Sequence, residues 1–228
     1  DTAMEGAAKP TVYIESTTAR DGYQYRCRIT DVTGTVAYSE PATMTVLSVK
    51  SSPVETFAAT GTTVQFTVEA NVSEGFTYQW QYRRNANANW TDTTMTGYNT
   101  NTLTVGATLA RNGYEYRCIL KGAKNSQIAS KGAVLHVGDP VVITAQPTDV
   151  TAASGENAVF TVEATNVYSY QWKYNKTGNT WSNTGAEGNK TATLTVPAKG
   201  KNGYKYRCHI IGLDGTETVT DEVTLTVQ

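Results

Sequence analysis

Hydrophobic and polar residues alternate through one short motif that occurs three times along the chain. The copies occupy residues 21–27, 112–118 and 202–208, so that successive cysteines are separated by 91 and 90 residues. Each copy opens on Asp-Gly or Asn-Gly, a turn dipeptide in which glycine supplies a positive φ angle. In the second copy, Tyr114, Tyr116 and Cys118 alternate with Glu115 and Arg117. This two-residue period predicts a half-buried β-strand, and the constant interval predicts one structural unit repeated along the chain.

The same alternation predicts further strands in the second and third units. In the second unit, residues 48–138, alternating segments lie at 61–68, 76–82, 103–105 and 132–137. In the third unit, residues 139–228, matching segments lie at 159–162, 168–174, 194–196 and 223–227. No segment of useful length has a helical period, and short strands separated by turns are typical of sandwich domains. The sequence therefore predicts an all-β fold with two complete sandwiches.

The first unit, residues 1–47, matches only the second half of the other two. Its segments 12–14, 21–27 and 44–46 correspond to 103–105, 112–118 and 135–137, and nothing in it corresponds to the segment that carries Trp80. Three strands with a bare apolar face are not expected to be stable alone. We therefore expect an upstream segment or a neighbouring molecule to supply the missing half, and the second case predicts self-association through residues 1–46.

Composition and charge narrow the range of partners. The chain has 228 residues and a formal net charge of −1, which gives no electrostatic case for nucleic acid or an anionic membrane surface. No apolar run is long enough to insert across a bilayer. The first residues do not form a secretory leader, so we expect a fragment of a longer protein or a chain whose targeting parts have been removed.

Together these features resemble the immunoglobulin-like (Ig-like) β-sandwich. That family has a buried tryptophan on its third strand, and Trp80 and Trp172 match it here. It also has a tyrosine two residues before a cysteine on its sixth strand, matched by Tyr25, Tyr116 and Tyr206. The resemblance implies tandem Ig-like sandwiches with these five side chains in the structural core.

The sequence departs from the family at its other cysteine. About a dozen residues before each core tryptophan, where the family has cysteine, the chain has Val68 and Val162. The resemblance therefore implies that the inter-sheet disulfide is absent, and that Cys27, Cys118 and Cys208 are buried free thiols packed in the core. Valine at this position looks more like tandem Ig-like repeats of Gram-positive bacterial surface or secreted proteins than like animal extracellular domains, which usually keep the disulfide.

The sequence offers little that could carry catalysis. Its two histidines, His136 and His209, fall on outward strand positions of different units and are interpreted as surface residues. There is no Gly-rich phosphate loop, and no cluster of Cys, His, Asp and Glu has metal-ligand spacing. We therefore predict no catalytic residues, no metal and no cofactor, and a protein that is not an enzyme.

Residues outside the core are the better candidates for binding. Trp90 and Trp181 follow the core tryptophans by 10 and 9 residues in polar, loop-rich sequence. Each is interpreted either as a cover for one sheet or as an exposed aromatic platform for a sugar or a protein. Tyr98 and Tyr168 would extend such a platform. Arg117 and Arg207 face outward on a neighbouring strand, where they either pair with polar neighbours or contact a ligand.

These features favour a non-catalytic structural or adhesive repeat region of a bacterial surface or secreted protein. It would act as a stalk or bind a host or neighbouring surface protein or glycan. The sequence leaves open a carbohydrate-binding accessory module of a secreted glycoside hydrolase, a binder of host proteins, and a filament subunit whose first unit is completed by another chain. All of these functions place the protein outside the cell.

Overall fold

The chain forms tandem Ig-like β-sandwiches that lack an inter-sheet disulfide. The computed structural model describes residues 7–176, 178 and 180–228, with the exception of the Lys124 side chain. In that part of the chain the only helices are three single-turn 3-10 segments, Thr18–Arg20, Leu109–Arg111 and Ala123–Asn125. All three cysteines are free.

The first unit contains two short antiparallel strand pairs. Its strands are β1 (Gln24–Tyr25), β2 (Arg28–Thr30), β3 (Val36–Tyr38) and β4 (Ala42–Thr43). Strand β1 pairs with β4, and β2 pairs with β3. Within the described residues, no strand pairs with the opposite edge of β1 or β2.

The second unit has a larger and a smaller layer of strands. Its strands are β5 (Val49–Ser51), β6 (Thr56–Ala59), β7 (Thr63–Thr67), β8 (Glu69–Ala70), β9 (Thr77–Arg83), β10 (Thr91–Asp92), β11 (Thr102–Gly106), β12 (Glu115–Lys121), β13 (Gln127–Ala129) and β14 (Ala133–Gly138). The larger sheet has the order β10-β9-β12-β14-β6, with β13 also pairing β12, and β6 runs parallel to β14. The smaller layer contains the pairs β7–β11 and β5–β8.

The third unit repeats this arrangement. Its strands are β15 (Val142–Ala145), β16 (Val150–Ala152), β17 (Asn157–Thr161), β18 (Glu163–Thr165), β19 (Val167–Asn175), β20 (Ser182–Asn183), β21 (Thr193–Pro197), β22 (Lys205–Gly212), β23 (Glu217–Val219) and β24 (Val223–Val227). The larger sheet has the order β16-β24-β22-β19-β20, with β23 on β22 and β16 parallel to β24. The pairs β17–β21 and β15–β18 face it.

Each complete unit packs a tryptophan beside a lone thiol at its centre. Cys118 lies opposite Trp80 in the β12–β9 pair, and Cys208 lies opposite Trp172 in the β22–β19 pair. All four side chains are fully buried. Both indole N–H groups donate to a backbone carbonyl oxygen at 2.9 Å. Burial raises the pKa of both thiols to about 12, so they act as small apolar core groups.

The remaining core positions are also filled in both complete units. Val68 and Val162, which stand where the family has cysteine, are buried in the two apolar clusters. Tyr116 and Tyr206 are buried as well, and each lies 4.9 Å from a phenylalanine ring of the opposite layer, measured between centroids.

The turn that opens each motif is held by its first residue. Gly22, Gly113 and Gly203 have φ angles of 78°, 81° and 78°, which favour glycine. The side chain before each glycine, Asp21, Asn112 or Asn202, accepts a hydrogen bond of 2.8–2.9 Å from a backbone N–H near the end of the unit. The motif therefore fixes both the turn and the closing segment of each unit.

Two expectations for the first unit are wrong. Cys27 is exposed, and Tyr25 is only half-buried. One local hydrogen bond is nevertheless kept, because the Cys27 N–H donates to the Ser39 hydroxyl at 2.9 Å as the Cys118 N–H does to the Ser130 hydroxyl. The difference arises because the described residues supply neither the strand beside this segment nor the layer opposite it.

Candidate functional site

Trp90 lies on the outer face of the larger sheet of the second unit and is covered by two guanidinium groups. The Cζ atoms of Arg117 and Arg83 lie 4.3 and 4.7 Å from its ring centroid, which is cation–π geometry. Arg83 also forms a 2.6 Å ion pair with Glu115. The Arg117 Nε donates to Gln81 at 3.0 Å. We call these five residues the outer tryptophan surface of the second unit.

The five residues of this surface contact one another, and their charged groups are partly buried. Burial lowers the pKa of Arg117, and the adjacent charge of Arg83 lowers it further. Trp90 is half-buried, and its ring lies close above the backbone of Gly132. The position of Trp90 immediately before β10 agrees with the interpretation that it covers one sheet.

The third unit carries a reduced version of the same arrangement. Arg207 lies 4.2 Å from the Trp181 ring centroid, and Trp181 is half-buried. The counterpart of Arg83 is Asn175, as the pairing of β19 with β22 establishes. Tyr98 has no ring contact with Trp90 among the described residues, and its carbonyl oxygen instead accepts the backbone N–H of Trp80. Ligand binding by these side chains stays a prediction.

The junction between the second and third units brings together side chains that the sequence pattern did not place in contact. His136 stacks on Phe57 at 4.5 Å between ring centroids, and Tyr168 contacts both rings, at 4.6 and 4.8 Å. Glu55 accepts a 3.2 Å hydrogen bond from the Tyr168 hydroxyl and lies 2.6 Å from His136 Nε2. Tyr168 belongs to the third unit and the other three to the second. The sequence interpretation of His136 as a surface residue is therefore wrong.

Backbone contacts reinforce this junction. A side-chain carbon added at Gly138 would collide with Leu213, and one added at Gly215 would lie 2.7 Å from Phe57. Both glycines therefore allow a close approach between the units. The sequence signal for this junction was an aromatic residue at an outward strand position near a linker. Strand periodicity predicts which face of the sheet a side chain lies on, but it does not predict which residue of the next unit contacts it.

An asparagine side chain binds the backbone at each of the two linkers, residues 46–53 and 137–147. In the first linker, Asn71 accepts a 2.8 Å hydrogen bond from the Ser48 N–H and donates to the Val46 carbonyl oxygen at 2.9 Å. In the second linker, Asn166 donates to the Pro140 carbonyl oxygen at 3.0 Å. Asn166 has a φ angle of 60°, a left-handed conformation that asparagine tolerates better than most residues.

The second histidine, His209, pairs with a carboxylate of the third unit. His209 Nδ1 lies 2.5 Å from Glu217 Oε1, and this hydrogen bond lowers the pKa of Glu217. Among the described residues, no group of three or more His, Cys, Asp and Glu side chains could hold a metal ion. No helix in the described part of the chain is long and apolar enough to cross a membrane.

Comparison with known proteins gives one related sequence and several structures with Ig domains. No protein-family model matches the chain. A stretch of 116 residues, 51% of the chain, is 34% identical to endoglucanase C of Cellulomonas fimi. This match covers 10% of that enzyme, so the chain is similar to a small part of it.

Several of the similar solved structures contain Ig domains. Extracellular domains 3–5 of Drosophila OTK are 17% identical, with 90% of this chain and 70% of that chain covered and a TM-score of 0.44. Murine CEACAM1b is 16% identical, with 75% and 95% covered and a TM-score of 0.45. The four N-terminal Ig domains of Dscam1 isoform 1.9 are 17% identical, with 95% and 57% covered and a TM-score of 0.41. The Ig-like assignment of this chain rests on its own strand order and core.

Proposed function

We propose that the chain is a non-catalytic spacer in a secreted or surface protein of a bacterium, in which the second and third units are held in a fixed relative orientation. The aromatic junction of Phe57, His136 and Tyr168 is the observation that carries this proposal. A flexible linker would need none of these contacts, whereas a spacer that sets a distance or an angle requires them.

The junction contacts are strong enough to influence how the units are arranged. Tyr168 makes two ring contacts across the boundary, and aromatic pairs contribute about 0.5–1.5 kcal/mol each beyond buried area. Two such contacts give about 1–3 kcal/mol, which favours the joined arrangement by roughly five- to more than a hundredfold. Contacts of this kind restrict the relative motion that is otherwise expected between neighbouring domains.

The similarity to part of endoglucanase C supports a more specific context. A stretch that makes up 10% of that protein shares 34% identity with about half of this chain. We infer that this chain accompanies other domains in an extracellular protein that acts on polysaccharides. In this arrangement the Ig-like units hold those domains apart, and the catalytic chemistry belongs to the other domains.

Residual dipolar couplings measured on the whole chain test the spacer function. The second and third units should share one alignment tensor in the native protein. In Tyr168→Ala the alignment tensors fitted to the two units should differ in magnitude. The substitution removes both ring contacts and the hydrogen bond to Glu55, so the units can move relative to each other. Tyr98→Ala is the matched control, since Tyr98 is exposed and lies away from the junction. Independent alignment of the two units in the native protein would contradict the proposal.

A second candidate function is self-association through the first unit. Its exposed apolar side chains include Val12, Tyr23 and Ile29, which are 41%, 54% and 59% accessible. Together with the exposed Cys27, they leave an apolar surface that the complete units cover. Sedimentation velocity should then give oligomers that grow with concentration, and removal of residues 1–46 should abolish them. A chain that remains monomeric at high concentration would exclude this function.

A further inference from the structure

The third unit contains a cavity that none of the functions above uses. Its volume is about 340 Å³, near the lower end of the range for small-molecule sites. Three tyrosines and two lysines line it together with Ala186: Tyr174, Tyr204, Tyr206, Lys176 and Lys201. It lies at the end of the sandwich, apart from the outer surface around Trp181.

A comparison of the two complete units indicates why the cavity is present in the third. Ala186 N–H donates to a threonine hydroxyl at 3.1 Å, and Met95 N–H makes the same bond at 3.1 Å in the second unit. The residue three positions later donates to the carbonyl oxygen of Ala186 or Met95 in each case. Ala186 and Met95 are therefore structural equivalents. The Met95 side chain packs against the apolar cluster of its unit, whereas alanine leaves the corresponding volume open.

A buried tyrosine gives a second difference between the units. In the second unit the Tyr116 hydroxyl is buried with no hydrogen-bond partner among the described residues. In the third unit its counterpart, Tyr206, lines the cavity. A ligand in the cavity can therefore form a hydrogen bond with the Tyr206 hydroxyl. The packing around Tyr116 in the second unit leaves no space for such a ligand.

The lining residues define the chemistry of a ligand. Lys176 Nζ lies 5.9 Å from the ring centroids of both Tyr174 and Tyr204. Lys201 Nζ donates to the Pro197 carbonyl oxygen at 2.6 Å, and an ammonium group has further N–H donors for a second partner. Among the described residues, no acidic side chain lines the cavity. Two positive charges beside aromatic rings favour a small ring that carries a carboxylate.

We propose that this cavity binds a carboxylated sugar residue of the uronic-acid type. The two lysine ammonium groups bind the carboxylate, and the Tyr174 and Tyr204 rings pack against the C–H groups of the sugar ring. The Tyr206 hydroxyl exchanges a hydrogen bond with a sugar hydroxyl. This site goes beyond the spacer function, and failure to bind sugar would leave that function intact.

Isothermal titration calorimetry on the whole chain tests the proposal with four probes: oligogalacturonate, glucuronate, a neutral cello-oligosaccharide and acetate. We expect binding of the first two and none of the last two. Tighter binding of oligogalacturonate than of glucuronate would assign the site to a polysaccharide, and the reverse would assign it to free sugar acids. Equal binding of acetate, or binding of the neutral oligosaccharide alone, would overturn the proposal.

Two substitutions in the cavity locate the binding site. Ala186→Met should abolish binding by filling the cavity, and the second unit accommodates methionine at the same place. Lys176→Gln should weaken binding about tenfold by removing one charged contact. Lys190→Gln is the control, because this exposed lysine does not line the cavity. Unchanged binding in both cavity variants would overturn the assignment of the site, and chemical-shift changes around Gly185 in the native protein would support it.

Discussion

The three cysteines should differ by orders of magnitude in their reaction with a thiol reagent. Cys27 is exposed, whereas Cys118 and Cys208 are fully buried with a pKa raised to about 12. The thiolate is the reactive form, so a thiol with that pKa is ionised to roughly one part in ten thousand at pH 8. The two buried thiols therefore react only when their unit unfolds.

The free energy of unfolding of a unit determines how slowly its buried thiol reacts. At about 0.05–0.15 kcal/mol per residue, a unit of this size has an unfolding free energy of at least about 5 kcal/mol. That value leaves roughly one molecule in several thousand open at any moment. When opening and closing are fast relative to the chemical step, modification follows this population. The buried thiols should therefore react at least about a thousandfold more slowly than they do in urea.

Colour release from Ellman's reagent at pH 8 measures the reaction rates of the three thiols. We expect one thiol to react in a fast phase in the native protein and the other two to react after addition of urea. Cys27→Ser should remove the fast phase, and Cys118→Ser, the matched control, should preserve it. Three fast thiols, or a fast phase that persists in Cys27→Ser, would refute the account of the cores. Slower reaction of Cys27 at high protein concentration would indicate that another chain covers the first unit.

Three further results are expected. Trp80→Phe leaves the Thr100 carbonyl oxygen without the indole donor and creates a small cavity, so urea denaturation should show a loss of about 2–4 kcal/mol confined to the second unit. Gly138→Ala inserts a methyl group against a leucine of the third unit, and denaturation with the matched Gly185→Ala as control should give a loss of about 1–3 kcal/mol for the first change only. The pKa of Glu217 is held below 4.5 by its hydrogen bond to His209, so its carboxylate stabilises the fold above that pH and the effect is lost as the pH falls. Thermal unfolding of Glu217→Gln should accordingly depend less on pH between 3 and 6 than that of the native protein.

The sequence predicted the complete cores well because strand periodicity and core composition are local properties. The alternation around Trp80 and Trp172 identified inward positions, and both side chains are buried. The same pattern predicted a buried Cys27, and there it was wrong. Alternation states which face of a strand is apolar, but it does not state whether a second layer is present to cover that face.

The junction and the cavity could not be derived from periodicity for a related reason. His136 lies on an outward strand position, and only the approach of the next unit turns that position into a contact. The cavity depends on one exchange between repeats, Met95 for Ala186, in a loop where no period applies. A residue-by-residue alignment of the two complete units would have indicated that exchange, although not the tyrosines and lysines that surround the space.

The parallel pairing of β6 with β14 and of β16 with β24 has a mechanical consequence. A force that pulls the two ends of a unit apart drives these strands past each other lengthwise, so their hydrogen bonds are loaded together and must rupture together. The first of these ladders has four paired positions and the second has three. When the chain is stretched in an optical trap or an atomic-force microscope, the third unit should therefore unfold at a lower force than the second.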